Sequence, residues 1–373
     1  MDDTFILLHS HFGPANIVLK KNVHLLRIEK DRVMFMETDP AVDLLDVRKY
    51  PLLQFSQAHY TKNVIIISRR EFDGMLDVIN IDNRKVVWMF HTTRCGSTLW
   101  SQIFNSLANW SIISESQALH NSLIFGQPEY DIEAFSKTKT FEDLVVANIK
   151  WHTLMVPEDN SIFWKMAILD YYMIPVIAKM FPNHKMLLAY RNVLPSAKSW
   201  HSITSGASAS YIALKHIAEP AIIAKQPRHV HEKLMFLWYT SGYNIDVCHA
   251  ALMAARPEPI GFEWFILLWA SMMTVYKDFI RRGSAKFLKV KYEDLQADTR
   301  KVIERVFKYL NIPVENIKPA LEATKTDSQD GLFLDWKHRM SNPSWVRTEE
   351  SVNRCNTMLQ YFDFGDLDSS VTL

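Results

Sequence analysis

Apolar positions in this chain alternate between short continuous runs and helical stripes, and the alternation predicts strands and helices in turn. Val86–Phe90 is a fully apolar run of strand formers, as expected of a strand buried on both faces of a parallel sheet. A polar stretch, His91–Thr98, follows at once. Leu99, Ile103 and Leu107 then fall four residues apart with Phe104 beside them, the stripe of a helix that buries one face. Lys185–Tyr190 predicts a second buried strand, and Ser111–Glu115, Ile162–Ala167 and Phe287–Val290 predict three more. Ile174–Met180 reads as a helix stopped by Pro182, and Glu304–Leu310 as an amphipathic helix ending before Asn311 and Pro313. Phe236–Ala251 and Phe262–Phe279 read as long apolar helices of the core.

Ahead of this alternation the pattern is different. Phe5–Leu8, His24–Ile28, Val33–Met36 and Val64–Ile67 read as strands. Between them, Asp39 and Pro40 look like an N-cap and first turn, predicting a helix that carries Val42, Leu44 and Leu45 and stops at Pro51. The expected organisation is a small β-rich N-terminal extension (1–84), a larger α/β domain (85–340) and a tail (341–373) whose last twenty residues are loosely held. Trp200–Ser210, rich in Ser and Gly, reads as a loop or mobile lid in which His201 is solvated.

Composition narrows the classes. With 373 residues, 48% apolar and 22% charged, the chain can bury a large core. A net charge of +1 gives no electrostatic case for nucleic acid or an anionic membrane. Cys95, Cys248 and Cys355 are too widely spaced for a disulfide framework or a zinc site, which suits a reducing compartment. His229 and His231 have metal-like spacing but no evident third ligand, so no metal is expected. The start, MDDTFILLHSHF, lacks the basic region of a signal peptide. The longest apolar run, Trp264–Tyr276, is too short to span a bilayer. A cytoplasmic location is the expectation.

The strand–loop–helix at Val86–Leu107 carries the candidate chemistry. Such a loop aims backbone N–H groups and the positive end of a helix dipole at one point, which suits a phosphate. Arg94 adds a guanidinium, and Ser97 and Thr98 add hydroxyls. The Walker pattern is not met, because His91 stands at its first glycine and Ser97 at its lysine. A plain strand-to-helix turn capped by Ser97 or Thr98 fits the same residues.

A second strand end makes the reading specific. Arg191–Ser199, with Arg191 and Ser199 eight positions apart, follows the strand at Lys185–Tyr190. Together with Thr92–Trp100, and with Lys291–Leu295 after a third strand, it resembles the sulfotransferases that use 3′-phosphoadenosine 5′-phosphosulfate (PAPS), over about Lys85 to Pro313. The resemblance implies a three-layer P-loop-like fold, a central parallel sheet flanked by helices. It implies that Thr93, Arg94, Cys95, Gly96, Ser97 and Thr98 hold the 5′-phosphosulfate, and that Arg191 and Ser199 hold the 3′-phosphate. The histidine base of many cytosolic members, expected after Lys165, is absent. Other branches place a glutamate at the end of the second strand, and Glu115 matches that position, with His120 as the rival base. Lys165, at the end of its strand, and Arg94 would neutralise charge as the sulfuryl group leaves. Gly331–Lys337 partly resembles the family's last nucleotide loop, but Gln329 and Asp330 replace its basic pair.

The implied reaction is sulfuryl transfer from PAPS to a hydroxyl or amine of a small-molecule acceptor, without metal, nucleic acid or membrane as partner. Oligomeric state is left open. A P-loop kinase or NTPase is one alternative, though the strand that might supply its acidic metal ligand ends in Arg191. A non-catalytic PAPS- or nucleotide-binding module is the other.

Overall fold

In the computed structural model the described residues are 9–12, 15–51, 53–79, 81, 84–116, 118, 137–168, 170–204, 250–251, 254–255, 262–326, 328 and 345–373. In chain order the strands are β1 (His9–Phe12), β2 (Val23–Ile28), β3 (Arg32–Glu37), β4 (Asn63–Ser68), β5 (Val86–His91), β6 (Trp110–Ser114), β7 (Ser161–Lys165), β8 (Lys185–Tyr190) and β9 (Phe287–Lys291). The helices are α1 (Leu53–Tyr60), α2 (Arg69–Leu76), α3 (Ser97–Asn105), α4 (Lys139–Leu154), α5 (Ile174–Met180), α6 (Val193–Thr204), α7 (Glu263–Arg281), α8 (Tyr292–Ala297), α9 (Thr299–Leu310), α10 (Ile317–Ala323) and α11 (Glu349–Tyr361).

Two sheets result. The central one is parallel, in the order β6-β7-β5-β8-β9. All six residues of β5 are buried, which is why that segment reads as an unbroken apolar run. The smaller sheet has the order β1-β4-β3-β2, with β2, β3 and β4 antiparallel and β1 parallel to β4.

The chain divides into two compact units. The first comprises Met1–Phe90, Thr98–Met186 and Glu315–Thr324. In it one face of the small sheet packs on α2 and α4. Phe35, Phe72 and Trp151 meet there, with the Phe35 and Trp151 rings edge to face at 5.0 Å. The N-terminal layer is therefore built onto α4, which lies between β6 and β7 in the chain. The second unit comprises His91–Ser97, Leu187–Val314 and Lys325–Leu373. There α7 runs its apolar length against α6 and α11. Asn311, in the left-handed region at φ 51°, ends α9 as the C-cap.

Three sequence expectations need correction. The segment after Asp39 is a run of turns and not a helix. Asp39, Asp43 and Asp46 each accept, through a carboxylate oxygen, the backbone N–H two residues on. Such local bonds compete with helix formation. Trp200–Thr204 continue α6, because the Trp200 ring stacks on Phe265 and the His201 ring meets Phe262 and Phe265 edge-on. His201 is thus half-buried, and burial lowers its pKa. Nor is the C-terminus loosely held. Cys355, Met358 and Leu359 of α11 are fully buried, and Arg354 bonds the buried Glu263 at 2.7 Å. Val371 N–H donates to Asn192 at 3.0 Å. The expected strand at Phe5–Leu8, most of the helix at Phe236–Ala251, the 205–210 part of the loop, Cys248, His120, His229, His231 and Gly331–Lys337 lie outside the described residues.

Candidate functional site

The loop between β5 and α3 is wound tightly at two positions. Arg94 has φ 54° and Gly96 φ 81°. Gly96 is required twice over, by its angle and by space: a Cβ there would lie 2.7 Å from two carbons of the Tyr292 ring. Cys95 folds its thiol back onto the Thr92 carbonyl at 3.0 Å and is buried, so it shapes the loop. Thr92 N–H donates to the Ala189 carbonyl of β8 at 2.9 Å. Ser97 opens α3, and both Ser97 and Thr98 are buried at the helix start.

The second motif closes on the first within the same unit. Ser196 donates its hydroxyl to the Thr93 carbonyl at 2.7 Å, and the two side-chain oxygens lie 3.2 Å apart. Arg94 Nε donates to Ser199 Oγ at 2.9 Å, and Arg191 Nη1 donates to the Arg94 carbonyl at 3.2 Å. Arg191 also lies over the Tyr292 ring, 4.4 Å from its centroid, and 4.0 Å from Glu293. Glu293 Oε1 accepts the Asn192 N–H at 3.1 Å. Arg94, Arg191 and Ser199 therefore share one cluster, gathered from segments 97 and 105 residues apart. Tyr292 and Glu293 of the third motif support it. Ser196, one helical turn before Ser199, was not singled out by sequence, although its spacing offered the signal.

In the other unit a second cluster gathers at the carboxyl ends of β6 and β7. Lys165 is 1% exposed, and its Nζ lies 2.6 Å from Glu115 Oε1 and 3.1 Å from Thr98 Oγ1. The anion that meets this buried lysine is a carboxylate of the protein itself. Glu115 N–H donates to the Lys165 carbonyl at 2.8 Å, extending the ladder one residue past β6. Glu115 then turns left-handed at φ 53°, which costs an L-residue about 1–2 kcal/mol. Such strain persists only where the surroundings enforce it.

Sequence patterns gave no warning of Asp170. It is buried, accepts the Ala167 N–H at 2.6 Å, and its other oxygen has no hydrogen-bond partner. Burial pushes its carboxyl up to about 8, the Ala167 bond opposes this, and the Glu115 charge adds to it. Among the described residues no group of three His, Cys, Asp or Glu is placed to hold a metal ion, and no helix is long and apolar enough to cross a membrane.

Residues 84–358 match the family model described as the sulfotransferase domain. Among solved structures, the mouse sulfotransferase SULT7A1 complexed with PAP is 13% identical, with 75% of this chain and 76% of that chain covered and a TM-score of 0.36. The sulfotransferase domain of the Synechococcus PCC 7002 olefin synthase is 13% identical over 74% of this chain and 96% of that chain, with a TM-score of 0.33. A sulfotransferase from Alicyclobacillus acidocaldarius is 14% identical over the same two shares, with a TM-score of 0.34. No curated protein matches.

Proposed function

The chain belongs to the sulfotransferase family, and from that premise we propose that it moves a sulfuryl group from PAPS to a hydroxyl or amine of a small-molecule acceptor. What carries the reading is the bond from Arg191 to the Arg94 carbonyl, with Arg94 bonded in turn to Ser199. Two anion-binding strand ends are joined at one place, as a donor with phosphates at its 5′ and 3′ positions requires. Thr93, Arg94, Cys95, Gly96, Ser97 and Thr98 hold the 5′-phosphosulfate through loop N–H groups and hydroxyls. The 3′-phosphate goes to Arg191 and Ser199.

The residues at the ends of β6 and β7 then serve the transfer. Glu115 accepts the acceptor's proton as the acceptor oxygen or nitrogen bonds to sulfur. The bond from sulfur to the bridging phosphate oxygen breaks, and the nucleotide leaves as the 3′,5′-bisphosphate. Lys165, with Arg94, offsets the charge that gathers on that oxygen. The bond from Lys165 to Thr98 supports this role, because Thr98 belongs to the phosphate loop. Positioning and electrostatics supply most of the acceleration, since little covalent work falls to the protein.

Calorimetry without magnesium, comparing 3′-phosphoadenosine 5′-phosphate with ATP, tests the donor. Tight binding of the bisphosphate and weak binding of ATP are expected. The reverse order would favour a kinase or NTPase and overturn the proposal. Turnover of labelled PAPS against a screen of phenols, alcohols and amines then tests the transfer itself. Bisphosphate binding with no turnover for any acceptor would leave a binding module.

A further inference from the structure

Glu115 is strained and sits between two serines that are both anchored. Ser114 Oγ donates to the Pro51 carbonyl at 2.7 Å, and both Ser114 and Ser116 are 2% exposed. Ser116 Oγ lies 2.7 Å from His152 Nε2. His152 Nδ1 is 2.8 Å from the Asn148 carbonyl, one turn back on α4. A carbonyl only accepts, so Nδ1 carries the proton and Nε2 presents its lone pair. The Ser116 hydroxyl must then be the donor. Burial holds the imidazole neutral, with its pKa lowered to about 4, so the arrangement does not change near neutrality.

We propose that Ser116 and His152 are positioning residues for Glu115. With the Ser114–Pro51 bond, they form a two-sided clamp that holds the left-handed turn and aims the Glu115 carboxylate at Lys165. The clamp gives the N-terminal layer a part in the reaction. Pro51 belongs to that layer, and α4, which carries His152, packs its Trp151 against Phe35 and Phe72 of the same layer. A glutamate in this conformation relaxes into the extended region if nothing holds it, and a carboxylate displaced by about 1 Å loses roughly two orders of magnitude in rate. Neither Ser116 nor His152 touches donor or acceptor in this account. Their effect passes through Glu115, and the inference rests on the reading of Glu115 as base.

The test uses the full chain, with the acceptor that turns over labelled PAPS fastest in the screen above. Ser116→Ala and His152→Leu are expected to lower kcat by about 10–100-fold, with bisphosphate affinity changed less than about twofold. His152→Gln keeps an acceptor for the Ser116 hydroxyl and is expected to recover most of the loss. On a Glu115→Gln background neither Ser116→Ala nor His152→Leu is expected to lower kcat further, since residues that act as one unit are not additive. Hydrogen exchange at the Glu115 amide, which bonds the Lys165 carbonyl, gives a readout independent of turnover. It is expected to quicken about tenfold in Ser116→Ala and not in His152→Gln. If Glu115→Gln abolishes turnover while Ser116→Ala leaves both kcat and that amide's exchange unchanged, the clamp is overturned and the base stands. If Glu115→Gln leaves turnover intact, the assignment of the base itself fails.

Discussion

Lys165 Nζ and Glu115 Oε1 lie 2.6 Å apart at the ends of neighbouring parallel strands, and both side chains are shut away from water. The parallel register places Ser114 opposite Lys165, so the next residue, Glu115, is the first that can turn back toward the ammonium. A buried pair of this kind is costly to break from one side, because the survivor is left charged and unpaired.

Removing the lysine alone is therefore expected to destabilise the fold. Lys165→Ala should lose about 3–5 kcal/mol. Lys165→Met combined with Glu115→Gln, which leaves no unpaired charge, should lose much less. Urea unfolding of the two variants checks this, and equal losses would mean that the ammonium is not held by Glu115.

The donor proposal predicts a split between nucleotide binding and turnover. Glu115→Gln should leave bisphosphate affinity nearly unchanged while turnover falls about 10²–10⁴-fold. Arg191→Ala should weaken binding of the bisphosphate much more than binding of an analogue lacking the 3′-phosphate. Calorimetry with both ligands decides the second point, and equal losses would mean that Arg191 does not meet that phosphate.

Gly96 and Tyr292 form a lock that one methyl group would spring. Gly96→Ala forces a Cβ to within 2.7 Å of the Tyr292 ring and strains a φ of 81°. The ring must move, and the Arg191 guanidinium 4.4 Å from its centroid moves with it. Bisphosphate binding should weaken at least about tenfold, or about 1.4 kcal/mol. Unchanged affinity in calorimetry would show that the loop tolerates a wider path.

Buried titratable groups give stability two pH-dependent limbs of opposite sign. The Asp170 carboxyl is raised by burial from 3.8 to about 8, so the folded chain holds its proton more tightly than the unfolded chain. Its contribution is complete below about 4 and is lost as pH rises through about 8. Asp170→Asn retains an acceptor for the Ala167 N–H but cannot ionise. Relative to the natural chain its gain in stability should be larger at pH 8.5 than at pH 5. Burial lowers His24 and His152 from 6.5 to about 4, so their contribution has the opposite sign and is lost as pH falls between those values. His24→Leu should flatten that acid limb. Urea midpoints across pH measure both limbs, and parallel curves for variant and natural chain would refute the assignment.

Much of this protein is written in local pattern. The runs at Val86–Phe90 and Lys185–Tyr190 give buried parallel strands because each is apolar on both faces, and β5 and β8 follow those segments to within a residue. The spacing of Arg191 and Ser199 and the order of the three motifs named the family, because a strand end, a loop and a helix start are short-range features. Local pattern failed where local signals compete or where a distant surface decides. Asp39 and Pro40 look like a helix start, yet three aspartates bond their own backbone and hold the segment in turns. The C-terminus is polar enough to read as loose, yet α7 offers a face that only the folded chain provides.

The site divides along the same line. Sequence determined which groups are candidates to bind phosphate and that Glu115 is a candidate base where the histidine is missing. Tertiary structure alone decided that Arg191 reaches the Arg94 carbonyl, that Glu115 pairs with Lys165, and that Ser116, His152 and Asp170 stand around that pair. The physical reason is range. Backbone preference and hydrophobic period act over a few residues, whereas a buried charge or hydroxyl finds its partner across tens of residues, in a direction fixed only when the strands and helices have packed.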